Sequence, residues 1–142
     1  MELYARVNIL VGRSVRLTHG DLREVVHLDA DPIGRCLSWE RLGVDYLHVV
    51  DLDGAFQGKP KNLDLLRDMA AAVPNAKIQV GGGVRSMSVV ESLLDAGVQR
   101  VVLGTAAVQD PDFVKHALAE RKHNIAIGID VVCGEHRIQI GA

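Results

Sequence analysis

Cysteine is nearly absent. Cys36 and Cys133 are the only two in 142 residues, too few for a disulfide framework and not at a metal-ligand spacing. Aromatic residues make up 4% of the chain, which leaves little to stack nucleic-acid bases. An excess of basic charge is missing too: 16 Lys and Arg stand against 18 Asp and Glu, a net charge of −2. A nucleic-acid partner is therefore not expected. Nothing approaches the roughly 18 consecutive apolar residues of a membrane span. Glu2 and Arg6 place charges too early for a secretory leader. No membrane partner and a cytoplasmic location are the resulting expectations. What is plentiful is apolar residues, at 48%, and glycine, with 14. A chain of this size is expected to fold as one domain over residues 1–142, burying roughly 70% of its unfolded surface.

Short β-branched runs alternate with helical patterns. Strands are predicted over Leu3–Leu10, Tyr46–Asp51, Lys77–Val80, Arg100–Leu103 and Ile125–Asp130, and helices over Pro32–Leu42, Leu63–Ala72, Met87–Ala96 and Pro111–Arg121. Asp31-Pro32 and Asp110-Pro111 each set a capping carboxylate before a proline at the first helical position, where its missing N–H costs nothing. Ser86 offers a cap for the third helix, and Gly43 and Gly97 sit where helices close in a left-handed residue. Trp39 is expected to pack its helix on the sheet. His116, Arg121, Lys122 and His123 read as a solvated cluster that favours the end of the fourth helix.

Residues 42–51 and 96–105 share a pattern, and Gly43 to Gly97 is 54 residues, or two βα units of about 27 each. That period suits a (β/α)8 barrel, with parallel strands and right-handed crossovers. A closed barrel needs about 200 residues or more. Four βα units, a fifth strand and a short hairpin extension over Cys133–Ile140 make half of a TIM-type barrel. A fragment, a half-barrel closed by self-association and an open sheet of another type all stand as readings.

Two turns could hold an anion. Gly81-Gly82-Gly83 follows a strand and precedes a helix, and Gly104-Thr105-Ala106 does the same. Backbone N–H groups at such helix starts bind phosphate, and in a barrel the two would be neighbours on the top rim. The same glycines could serve only as tight βα turns. Polar residues gather at predicted strand ends: Asn8, His48, Asp51 and Asp130. A carboxylate on each side of a substrate suits acid–base chemistry. Equally, Asp51 could cap a loop, His48 could be a satisfied, partly buried histidine, and Asp130 could open a turn. Thr18–Asp29 reads as a lid or a solvated connection.

The motifs taken in order resemble one family. They are Gly12-Arg13-Ser14-Val15-Arg16-Leu17-Thr18-His19-Gly20-Asp21, Leu47-His48-Val49-Val50-Asp51-Leu52-Asp53-Gly54-Ala55, Gln79-Val80-Gly81-Gly82-Gly83-Val84-Arg85, Leu103-Gly104-Thr105-Ala106-Ala107 and Ile129-Asp130-Val131. Together they look like the phosphoribosylformimino-5-aminoimidazole carboxamide ribotide isomerases of histidine biosynthesis, over the N-terminal half of that family's barrel. Val15 to Asp21 resembles the isomerase more than its sister cyclase.

The resemblance implies an Amadori-type aldose-to-ketose isomerisation of a ribotide with a phosphate at each end, without cofactor or metal. A phosphorylated ribotide, or a phosphate or sulfate ion, is the implied partner. Carried over, the general acid falls on Asp130 and the general base on position 8, where this sequence has Asn8. A neutral amide is a poor proton acceptor, and losing a general base typically costs about 10²–10⁴-fold. Gly81, Gly82, Gly83, Gly104 and Thr105 match the phosphate site of this half. Arg16, His48 and Arg85 fall among substrate-contacting or loop residues. Tyr4-Ala5-Arg6 replaces an apolar, proline-containing segment, and Arg6 shares strand parity with Asn8, which aims a charge at a barrel interior. The resemblance leaves three readings: an isomerase impaired in this form, a non-catalytic phosphate-binding half-barrel that forms a homo-oligomer, or a bifunctional isomerase also serving tryptophan biosynthesis. Two copies with five parallel strands each would bring two more than an eight-stranded barrel holds, so one strand per copy would have to be displaced, swapped or paired elsewhere.

Overall fold

The computed structural model describes residues 2–18, 21–28 and 31–129. Five parallel strands carry it: β1 (Tyr4–Leu10), β4 (Tyr46–Asp51), β5 (Lys77–Gly81), β6 (Arg100–Leu103) and β7 (Ile125–Ile127). Two antiparallel strands, β2 (Arg13–Thr18) and β3 (Asp21–His27), extend the sheet beyond β1, giving the order β3-β2-β1-β4-β5-β6-β7. Each parallel crossover steps one place in the same direction, so the sheet has no reversal point of the kind that marks a doubly wound fold. Winding of this sort puts every crossover on one face. It is the arrangement of a partial (β/α)8 barrel.

The crossovers are α1 (Pro32–Arg41), α2 (Leu52–Gln57) with α3 (Leu63–Ala72), α4 (Met87–Asp95), and α5 (Thr105–Gln109) with α6 (Pro111–Arg121). Asp31 accepts a hydrogen bond from the Gly34 amide at 2.7 Å and Asp110 one from Phe113 at 3.0 Å, so both predicted caps form. Ser86 occupies the N-cap of α4, but its hydroxyl bonds Ser88 Oγ instead of a backbone amide. Gly43 and Gly97 take φ of 81° and 94°, closing α1 and α4 in the left-handed region.

The core lies between sheet and helices. Val7 and Ile9, Leu47 and Val49, Ile78 and Val80, Val101 and Leu103 alternate along their strands and bury one face against Cys36, Leu66, Met69, Val90, Leu93 and Ala117. Trp39 packs against this cluster as its position suggested. Burial also pushes the Cys36 thiol up to about 12, so it behaves as a small apolar side chain. Arg121, on the expected solvated face, grips Glu91 of α4 through Nε and Nη2 at 2.8 and 2.9 Å.

Three sequence expectations change. Most of Thr18–Asp29 is strand rather than lid or connection: β3 pairs antiparallel with β2 from Thr18↔Asp21 to Val15↔His27. The last strand stops at Ile127, short of Asp130. Two short helices, α2 and α5, follow strands where plain turns were read. The Cys133–Ile140 hairpin lies outside the described residues.

Candidate active-site rim and its family

All five parallel strands deliver their carboxyl ends to one edge of the sheet, and the glycine turns sit there. Gly81 pairs with Val102, which puts the Gly81–Gly83 turn of β5 beside the Gly104–Thr105 turn of β6. The two turns differ in why they need glycine. A Cβ on Gly82 would overlap the Asp51 carbonyl oxygen and one on Gly83 the Gly54 carbonyl oxygen, while both residues hold positive φ, 118° and 72°. Those glycines let two βα turns pack backbone to backbone. Gly104 faces open space, with nothing within 4 Å of an added Cβ, and it is exposed at the start of α5.

Asp51 organises the neighbouring turn. Fully buried at the end of β4, its carboxylate accepts from the amides of Gly54 (2.9 Å), Lys61 (2.8 Å) and Asn62 (3.2 Å) and from Asn62 Nδ2 (2.7 Å). It caps α2 and ties down the segment leading to α3, the loop-capping role. Asn62 Nδ2 also donates to Asp53 Oδ2 at 3.0 Å, and that oxygen accepts the Val11 amide at 2.8 Å. One chain of hydrogen bonds thus joins the β1–β2 turn, α2 and the start of α3. Asp53 and Asn62 were not singled out in the sequence; the Asp-Leu-Asp-Gly run at 51–54 was the available signal.

The sheet face turned away from the helices carries polar groups in register. Arg6 pairs with His48, His48 with Gln79 and Gln79 with Arg100; one step toward the rim, Asn8 pairs with Val50 and Val50 with Gly81. Gln79 Nε2 lies 3.0 Å from His48 Nδ1. The amide nitrogen can only donate, so Nδ1 accepts and the imidazole proton sits on Nε2. Burial, and secondarily the Arg6 charge, holds the His48 pKa below its usual value and the ring neutral. Arg6 itself is exposed, and its Nε donates to Asn8 Oδ1 at 2.8 Å. The charge expected in an interior is thus spread over an open face and a neutral amide.

Asn8 and His48 therefore share this face with the glycine turns at its upper edge. Arg16 has the parity opposite to Val15, the partner of Asn8, and is exposed on the other side. Arg85 is exposed with its guanidinium over Gly58, where an added Cβ would lie 2.8 Å from Nη1. Asp130 lies outside the described residues. A cavity of about 280 Å³ lies at the opposite, amino-terminal end of the strands, lined by Tyr4, Tyr46, Lys77, Gln79, Arg100 and His123. Among the described residues there is no cluster of His, Cys, Asp and Glu that could hold a metal ion, and no helix long and apolar enough to cross a membrane.

The family model described as histidine biosynthesis protein matches residues 2–142. The chain belongs to the histidine-biosynthesis protein family. Within that family it is 44% identical over 137 residues to a Dehalococcoides mccartyi protein named 1-(5-phosphoribosyl)-5-((5-phosphoribosylamino)methylideneamino) imidazole-4-carboxamide isomerase, covering 95% of this chain and 56% of that one. Proteins of the same name from Listeria innocua and Acetivibrio thermocellus are 41% and 42% identical, over 94% of this chain and 55% and 56% of theirs. The chain spans about half the length of these curated relatives. Both the resemblance read from the motifs and the partial barrel agree with membership of the histidine-biosynthesis family.

Proposed function

We propose that this chain is the phosphate-binding half of a histidine-biosynthesis isomerase site, for an Amadori-type aldose-to-ketose isomerisation of a bisphosphorylated ribotide. The observation that carries the reading is the side-by-side placement of the Gly81–Gly83 and Gly104–Thr105 turns at the carboxyl edge of a parallel sheet. Amides at such turns, backed by helix starts, suit a phosphate. Open space at Gly104 leaves room for one. The sequence identity to named isomerases supports the substrate class. In the reaction, Asp130 donates a proton to the ribose ring oxygen, as the resemblance implies. Position 8 holds an amide where the resemblance implies a base, so turnover in this form is impaired. Binding and chemistry separate here: the rim retains its phosphate turns while proton removal is lost.

Calorimetric titration with the bisphosphorylated ribotide tests this. The wild-type chain binds, and Gly104→Asp, which sets a carboxylate in the open rim, weakens binding at least tenfold. Equal affinity for the two proteins overturns the reading.

A second reading is favoured by the open polar face of the sheet and by Asn8: a non-catalytic half-barrel that self-associates through that face. Light scattering with and without the ribotide decides it. A mass that stays at 15.4 kDa under both conditions rules it out.

A further inference from the structure

Position 8 is more than a missing carboxylate. Asn8 is only 7% exposed, and its side-chain oxygen is engaged by Arg6 Nε at 2.8 Å. A guanidinium has no lone pair to offer, so the amide is oriented with Oδ1 toward Arg6 and Nδ2 away from it. The residues in register on either side, Val15 on β2 and Val50 on β4, are apolar. Among the described residues nothing accepts from Asn8 Nδ2. The titratable groups on the Asn8 face among the described residues include Arg6 on its own strand, His48 on β4, Arg13 on β2, which pairs with Leu10, and His27 on β3, which pairs with Val15; His48 keeps its proton on Nε2 because Gln79 occupies Nδ1. At this level the face offers hydrogen-bond donors: the Asn8 amide, His48 Nε2–H and the rest of the Arg6 fork.

We propose that Arg6 is a positioning residue that locks Asn8 as a donor, so that the upper part of β1 binds a lone-pair oxygen of a phosphorylated sugar instead of taking a proton from it. The ligand class rests on the reading of the rim as a phosphosugar site; the orientation of Asn8 does not. The Asn8 amide nitrogen is left without a protein acceptor among the described residues, and a sugar or phosphate oxygen supplies one. The pairing also means that a carboxylate restored at position 8 would face Arg6 at contact distance. Such a charge pair holds a carboxylate in its ionised, weakly basic form. Asn8→Asp alone therefore gives a poor general base, and the base needs Arg6 replaced as well.

The test uses the full 142-residue chain and has two independent arms. In the first, the side-chain carboxyl introduced by Asn8→Asp is titrated by carbon NMR, in the single variant and combined with Arg6→Met. The single variant titrates about one pH unit below an ordinary aspartate, and the double variant returns toward it. Identical midpoints overturn the Arg6 assignment. If Asn8→Asp does not fold, the Asn8 side-chain amide resonances of the wild type, Arg6→Lys and Arg6→Met take its place. Lysine, still a donor, keeps the wild-type pattern and methionine loses it; a pattern indifferent to Arg6→Met overturns the assignment. In the second arm, ribose 5-phosphate is titrated into the wild type and Arg6→Met. The Asn8 Nδ2 resonance shifts in the wild type, and affinity falls about fivefold in Arg6→Met. Shifts at Gly81–Gly83 and Gly104 without one at Asn8 overturn the donor role and leave the rim reading standing. Silence at both sets overturns the rim reading and the ligand contact together, while the first arm still decides the orientation of Asn8.

Discussion

Replacing Asp51 by alanine is expected to cost this chain a large share of its stability. Four donors converge on that carboxylate, three of them backbone amides. The Gly54 bond is an N-cap, whose loss typically costs about 1 kcal/mol. The bonds from Lys61 and Asn62 are partly buried, so water replaces some of each; about 1 kcal/mol apiece is a fair figure for amides bonded to a charged acceptor and left half-satisfied. The sum is about 3–4 kcal/mol, against the roughly 5–15 kcal/mol that typically holds a small domain together. Asp51→Asn keeps one acceptor oxygen but turns an amide toward other donors, and should lose about 2 kcal/mol. Urea denaturation followed by circular dichroism measures both, and amide exchange at Gly54, Lys61 and Asn62 should rise in parallel. A loss below about 1 kcal/mol for Asp51→Ala, with those amides still protected, would refute the claim that Asp51 organises the rim.

Other outcomes follow from single residues. Val11 is the only non-glycine residue with positive φ among those described, 50°, in a two-residue turn with Gly12; Val11→Asn keeps the amide that bonds Asp53 and should raise stability by about 1 kcal/mol in the same denaturation assay. Gly82→Ala should unfold the chain or cost more than about 3 kcal/mol, because its methyl meets the Asp51 carbonyl, whereas Gly104→Ala points into open space and should change stability by less than about 0.5 kcal/mol. His48 has a folded pKa below its reference of 6.5, so as pH falls through about 6.5 the unfolded chain takes up the proton first and stability declines until the folded pKa is passed. Above about 6.5 that contribution is fully present; His48→Gln should therefore show a smaller loss than wild type between about pH 7.5 and 5.5, measured by urea midpoints.

The parallel strands were legible because their alternation is simple and their helices are signposted. Asp31-Pro32 and Asp110-Pro111 announce helix starts by local chemistry alone, and both caps form. The β2–β3 hairpin was not legible. Arg13-Ser14-Val15-Arg16-Leu17-Thr18 mixes charge with short apolar steps, and the turn before it places a β-branched residue in a conformation its type disfavours. Helix α2 hid behind its brevity and behind Gly54; what makes it a helix is the Asp51 cap and packing from a segment ten residues further on. At the rim, the glycine turns stood out. A glycine needed for close backbone packing looks the same in a sequence as one needed for an anion. In the structure, a Cβ on Gly82 would meet the Asp51 carbonyl, whereas one on Gly104 would meet nothing within 4 Å. The Gln79–His48 pair, 31 residues apart, is set by strand register, which no local pattern encodes.

The central claim is that the ligand end of this half-barrel is the carboxyl edge of its parallel strands. Amide-shift mapping of the nitrogen-15-labelled chain during titration with the bisphosphorylated ribotide tests it most directly. Shifts concentrated at Gly81, Gly82, Gly83, Gly104 and Thr105 are the expected result. Shifts confined to Tyr4, Lys77, Arg100 and His123, around the cavity at the amino-terminal end, would contradict it.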